Sequence, residues 1–435
     1  MFIFLIEIIL HRGEIFKQRQ ILLSTFIFLT LFLPGLILLT YTTIHPKWIL
    51  DSYSVTNFSL PERLMTEGRI LWSYLYWITL PNNQSLGLFH DDIALSTSLF
   101  KPWSTCFALI GHVSLILSLI YLWLKNKCPL FIFGVGLFYA SHLIESTVLP
   151  LELAHEHRNY LGSFGIILGF VSLAPLLKNI KNFAFIFAVL YLLFLIAITV
   201  QRADGWGKGL ESALFELGNH PASFSANYEV ARQYMLISET GEHNLEEQAK
   251  NYFTKASLYN LDRADALFGL VMISARQNSP PEPQVLRELN KRLAEGPFYA
   301  SHATWLNTLV KCFKKNTCLF TQTEMTSILQ SAINNPNLAN AGLTRAVALT
   351  ATSDYVANVG NNYDNALELS ILAAESAPRH PQFIKNIIAL AIAFKDTNTA
   401  ETWLNKLNDL NYLNIYASDI AYYKHKLKNS KQDNN

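Results

Sequence analysis

Charge is what this chain of 435 residues lacks. Asp, Glu, Lys and Arg together make up 15%, against about 25% in ordinary soluble domains. The 34 basic and 33 acidic residues nearly cancel, leaving a net +1, so nothing suggests nucleic acid as a partner. Cysteine is sparse as well: four residues and no C-x-x-C pair, so neither a zinc site nor another metal is expected, and no cofactor is implied. Apolar residues fill the gap. They reach 51%, with 28 phenylalanines, and nearly all the long apolar runs precede Gln201. The composition implies an all-α chain, a polytopic helical membrane domain (residues 1–200) followed by an extracytoplasmic helical domain (201–425) and a polar tail (426–435) expected to fray.

A bilayer core about 30 Å thick takes roughly 20 helical residues to cross, with a range near 17 to 25. Five segments approach that length: 21–42, 105–124, 129–146, 161–177 and 183–200. Arg12, Lys17 and Arg19 precede the first, Lys125 and Lys127 separate the second and third, and Lys178 and Lys181 separate the fourth and fifth. Short cytoplasmic loops carry the excess of such residues, so loops 43–104 and 147–160 and everything after Gln201 are expected outside. A bacterial inner membrane with a periplasmic C-terminal domain follows. The stub 2–10 is too short to span. It reads either as an interfacial or re-entrant start or as the end of a helix from a longer ancestor.

Loop 43–104 holds an aromatic helix bounded by Pro61 and Pro81, with Glu62 and Glu67 near its positive end and Trp72, Tyr74, Tyr76 and Trp77 at the spacing of an interfacial segment. His90, Asp91 and Asp92 follow on a loop. They read as a turn or helix cap, or as general acid–base groups. The densest charge lies at residues 145–160, where Glu145, Glu152, His155, Glu156, His157 and Arg158 crowd between two apolar runs. Ionisable groups at a membrane edge are costly to place at random, and this patch is the leading site candidate.

Past residue 200 small residues recur at helix-crossing intervals. Ala366, Ala373 and Pro378 stand at offsets 0, +7 and +12; Ala249, Phe253 and Ala256 repeat part of the pattern; and Ala400, Leu404 and Leu407 follow a further 34 residues on. The period is that of degenerate tetratricopeptide (TPR) repeats, which as a solenoid bind peptide or protein partners. Cys312 and Cys318, outside on this topology, form either a short disulfide loop or two buried thiols.

The chain resembles the bacterial relatives of transmembrane-and-TPR protein O-mannosyltransferases, membrane glycosyltransferases of the GT-C type. The resemblance is carried by Leu60-Pro-Glu-Arg63-Leu-Met-Thr-Glu67, Gly87-Leu-Phe-His-Asp-Asp92, His142-Leu-Ile-Glu-Ser-Thr-Val-Leu-Pro-Leu-Glu152 and Glu156-His-Arg-Asn159-Tyr160, with Arg202-Ala-Asp-Gly-Trp206 and Asn219-His-Pro-Ala-Ser223 beyond. It implies sugar transfer from a polyprenyl-phosphate carrier, a membrane lipid, to a protein hydroxyl on the outer face. Arg158 would pair the carrier phosphate through its planar fork. Glu156, Asp91 or Asp92 would orient or deprotonate the acceptor, and His155 and His157 would stabilise the leaving phosphate. Arg63, His90, Glu145, Glu152, Asn159 and Tyr160 would complete the substrate site. Enzymes of this type carry further N-terminal membrane helices, so a truncated form with half a site is expected. The alternatives are a membrane-anchored TPR scaffold without catalysis, and a transporter subunit whose mid-helix polar groups would be His112, His142 and Glu145.

Overall fold

The structure, a computed structural model, describes residues 5–10, 25, 28–29, 33–44, 53, 56–239, 245–339 and 341–432. The chain is all-helical: among the described residues the β-pairing is confined to one isolated bridge, Ser98–Lys101. The helices are α1 (Leu33–Ile44), α2 (Leu60–Thr79), α3 (Ser104–Leu124), α4 (Pro129–His142), α5 (Asn159–Val171), α6 (Lys181–Gly205), α7 (Gly209–Asn219), α8 (Phe224–Ser238) and α9 (Leu245–Tyr259). They continue as α10 (Asp265–Arg276), α11 (Pro283–Glu295), α12 (Ala300–Lys314), α13 (Gln322–Ile333), α14 (Gly342–Asn358), α15 (Tyr363–Ser376), α16 (Pro381–Ala393), α17 (Thr397–Asp409) and α18 (Ala417–Gln432).

Among the described residues three helical runs are long and apolar enough to cross a membrane: Ser104–Leu124, Glu156–Leu176 and Asn182–Gly205. They coincide with the second, fourth and fifth expected segments. The third differs. α4 stops at His142 after 14 residues, about 21 Å at 1.5 Å per residue, because the chain beyond it leaves the helix and turns its carbonyls towards Arg63. Most of expected segment 21–42, together with Arg12, Lys17 and Arg19, lies outside the described residues.

The chain divides into two compact units, the first reaching to Tyr252 without Ser54–Asn57, and the second formed by Ser54–Asn57 with the chain from Phe253 onward. The composition break expected at residue 200 falls inside α6, and α7 and α8 belong with the apolar helices. In the first unit α2, α3, α4 and α5 share a core of Ile70, Tyr74, Trp77, Leu119, Phe138 and Ile166. α2 begins as its sequence requires: Ser59 and Glu62 form a reciprocal capping box, with Pro61 in the first turn. Its aromatic face is largely internal. Tyr74 and Trp77 are buried, and Trp72 donates its indole N–H to the Ala108 carbonyl at 3.0 Å, so the expectation of a headgroup-level belt gives way to packing.

In the second unit consecutive helices pack in pairs, α14 on α15 and α16 on α17. The repeat-pattern residues Ala366, Ala373, Ala400, Leu404 and Leu407 are all buried, as small or compact residues at close helix crossings must be. Cys312 and Cys318 are joined in a disulfide. Residues 426–432, expected to fray, continue α18 and bury Leu427.

α4 and α5 meet through glycine. A Cβ on Gly134 would lie 2.2 Å from the Gly165 carbonyl oxygen, and one on Gly165 would lie 2.5 Å from that of Gly134. With Gly169 one turn on, α5 presents the small-residue spacing that lets apolar helices approach backbone to backbone. Gly165→Val should therefore cost about 1–3 kcal/mol through overpacking. The check is the unfolding midpoint in detergent, with Gly218→Ala, whose Cβ meets nothing within 4 Å, as the unaffected control.

Candidate functional site

The charged patch 145–160 separates into two clusters, one against Tyr74 and one against Trp77. The first is built around Arg63, which α2 places fully buried. Its Nε donates to the Thr147 carbonyl at 3.0 Å, its Nη2 to the Glu145 carbonyl at 2.7 Å, and its Nη1 to the Leu151 carbonyl. Glu67, one turn along α2, sits 3.0 Å from the same guanidinium. Burial pushes the Glu67 carboxyl up to about 7, against the pull of Arg63. Arg158 is likewise buried. Its Nη1 donates to the carbonyls of Glu152 at 2.7 Å and Leu153 at 3.3 Å, and its Nε lies 3.5 Å from the Glu145 carboxylate. Both arginines thus hold the loop that follows α4. Arg63 is a strut, and Arg158 has donors committed to the backbone.

Around them His142 is stacked on Tyr74 with ring centres 5.0 Å apart, and the Tyr74 hydroxyl accepts from the His155 amide at 2.9 Å. Asn159 is buried at the start of α5. His155 is hydrogen-bonded to Glu152 and lies 4.8 Å from the His157 ring, while His157 and Tyr160 are exposed, Tyr160 at 89%. His112, on α3, bonds the Tyr139 hydroxyl at 2.6 Å and the Gly68 carbonyl at 2.7 Å, a packing role.

The second cluster gathers residues far apart in sequence. His90 is buried, stacked on Trp77 at 4.7 Å and edge-on to His220 at 5.4 Å. Glu156 comes to 4.0 Å from His90 Nε2, too long for a hydrogen bond, and to 2.9 Å from Arg202 Nη2 on the last turn of α6. Asp92 meets His220 Nδ1 at 2.9 Å. Glu216 on α7 accepts the Leu88 amide at 2.8 Å. Asp91 plays a different part. It accepts from the Ser223 hydroxyl and, at 2.9 Å each, from the amide and hydroxyl of Ser225, capping the start of α8. Ser223 is the N-cap of α8, accepting from the Ala226 amide at 2.9 Å, and Asp91 supplements it by accepting from the Ser225 amide 134 positions downstream.

An apolar cleft of about 490 Å³ opens beside this cluster, lined by Leu86, Leu195, Ile198 and Trp206 together with Arg202. Arg202 Nη1 is buried with no hydrogen-bond partner among the described residues. Arg202, Glu216 and His220 were not among the expected site residues. Two of them lie in the stretches 202–206 and 219–223, and a cation closing a long apolar run was the signal available for Arg202. The site brings Glu156, His90 and Asp92 together, but not with Arg158. No family model matches the chain, and no curated protein matches it.

The electrostatics follow from burial. Burial, aided by the charge of His220, drops His90 to about 4. Burial would raise Asp92, but its hydrogen bond to His220 holds it below the usual carboxylate range, and the same bond raises His220. His90 is thus neutral in the folded protein near pH 7. Since its folded value lies below the ordinary 6.5, its contribution to stability is complete above 6.5 and is lost as pH falls towards 4. The Asp92 contribution is also lost in acid, whereas that of His220 is lost as pH rises through its raised value. His90→Gln should flatten the decline of the unfolding midpoint between pH 6.5 and about 4; an unchanged slope would assign it to other groups. Asp91→Ala should cost about 1 kcal/mol, as loss of a helix cap does, read by chemical denaturation at neutral pH.

Proposed function

We propose that this chain is a membrane glycosyltransferase that moves a sugar from a polyprenyl-phosphate carrier to protein on the outer face of the membrane. The observation that carries the reading is the cleft beside α6. Its lining is apolar along α6, which has the composition of a membrane span, and includes Arg202, one of whose guanidinium nitrogens has no hydrogen-bond partner among the described residues. An isoprenoid chain suits the walls, and a phosphate oxygen suits the guanidinium. The phosphate contact expected of Arg158 falls instead to Arg202, because Arg158 serves the loop carbonyls. Glu156, held by Arg202 and adjacent to neutral His90, is the group positioned to accept a proton from an acceptor hydroxyl.

This reading takes the membrane half to be polytopic, with the 43–104 and 147–160 loops and everything after Gln201 on the outer, periplasmic side. It takes the helix pairs of the second unit as a TPR-like solenoid that receives the protein acceptor. The scaffold alternative draws on the ties of Asp91, Asp92 and Glu216, which join loop to helix and leave those groups structural.

Arg202→Ala should lower transfer from a polyprenyl-phosphate-linked sugar by about tenfold or more, the effect of losing a charge-assisted hydrogen bond worth about 1.5–3 kcal/mol. Tyr160→Ala, at an exposed position, should leave it unchanged. The assay is transfer in membranes carrying each variant at equal protein level. Unchanged transfer by Arg202→Ala would remove the carrier-phosphate assignment. Loss of function on removing the second unit, with no effect of Arg202→Ala and Glu156→Gln together, would establish the scaffold.

A further inference from the structure

The second unit has an exposed apolar tip. Between α17 and α18 the chain turns through Tyr412, Leu413, Asn414 and Ile415, with Tyr412 75%, Leu413 93% and Ile415 65% exposed. The backbone makes this placement costly twice over. Leu413 has φ 62° and ψ 21°, and Asn414 follows with φ 57°. The left-handed region suits asparagine but disfavours a leucine. A turn selected only to join two helices would hold glycine or a polar residue at Leu413. Large side chains gathered on such a turn are the mark of a contact surface.

The chain that follows names the chemistry of the contact. Residues 410–432 contain four lysines and one aspartate. The aspartate, Asp419, is neutralised by Lys385 at 3.1 Å. Ile420 and Leu427 fix α18 in the core of the unit. Lys424, Lys426 and Lys428 remain exposed along it, with Lys426 over the ring of exposed Tyr422 at 5.7 Å. Aromatic and aliphatic side chains at a tip, with uncompensated lysines behind them, match a bilayer interface: the apolar groups enter the headgroup boundary and the ammonium groups meet anionic lipid. An acidic protein would suit the lysines but would not call for a bare leucine and isoleucine beside them.

We propose that the Tyr412–Ile415 turn docks on the anionic headgroup surface of the bilayer that holds this chain, with Lys424, Lys426 and Lys428 supplying the electrostatic part. Tethering to that bilayer supplies the high effective concentration that makes so small a contact sufficient. The proposal does not depend on the glycosyltransferase reading.

The test uses the full chain in lipid nanodiscs, with Cys106 and Cys128 changed to serine and the Cys312–Cys318 disulfide retained. Leu413→Cys carries an environment-sensitive fluorophore, and Thr304→Cys, exposed on α12, carries the same probe as a control. In discs containing phosphatidylglycerol the probe at 413 should shift to the blue and be quenched by lipid-borne spin labels, while the probe at 304 should do neither. Changing Lys424, Lys426 and Lys428 to glutamine should weaken docking by roughly fivefold per lysine, and phosphatidylcholine alone should abolish it. A water-exposed spectrum at 413 in anionic discs overturns the proposal. So does a blue shift without lipid quenching, which would point to an acidic protein or a second copy as the occupant.

Discussion

A guanidinium with no access to water is the constraint on which the first unit depends. Arg63 cannot be left partly satisfied, because an unpaired charge at that depth costs several kcal/mol. Three backbone carbonyls from the loop after α4, together with Glu67, therefore surround it. α4 ends at His142, and the carbonyls of Glu145, Thr147 and Leu151 in the loop beyond it converge on Arg63. That convergence sets where the chain re-enters helix at Glu156, and hence where that carboxylate stands. Arg158 reinforces the same loop from its other end.

The second consequence is a division of labour among acidic groups that look equivalent along the chain. Asp91, Asp92 and Glu216 each bind a partner on the other side of the loop–helix junction: a helix start, a histidine and a backbone amide. They attach the loop 86–92 to α7 and α8, which explains why those helices join the apolar half. Gly87 belongs to this junction. A Cβ there would lie 2.6 Å from Glu216 Oε2 and 3.0 Å from His220 Nε2, so any larger residue would have to displace these two side-chain ends. Glu156 is the exception. It has one oxygen on Arg202 and the other turned towards His90, beside a cleft.

The aromatic residues of α2 show how one composition supports two roles. Trp, Tyr and Trp at helical spacing suit a membrane interface, and they equally suit the inside of a helix bundle that must carry polar groups. Here Tyr74 and Trp77 form flat walls on which His142 and His90 stack. Such walls exclude water, which is why His90 is held neutral at pH 7.

The sequence by itself determined the helical class, three of its five expected membrane segments as apolar helices of membrane length among the described residues, the capped start of α2 and the burial of the small residues in the second half, because each follows from local composition or period. It also marked 145–160 and 90–92 as unusual, since charge beside apolar runs needs a reason. Tertiary structure alone decided which of those charges support the fold and which of them, Glu156, pairs with Arg202 on the lining of a cleft. Arg63 and Arg158 are both arginines near glutamates, yet their donors go to carbonyls that no spacing rule links to them. Glu156 meets Arg202 across 46 positions, and Asp91 meets Ser225 across 134. Contacts over such distances are set by how helices stack. That stacking rests on Gly134 against Gly165 and on Arg63 beneath the loop; the Gly165–Gly169 spacing is local, but the partners that these residues meet are set only in three dimensions.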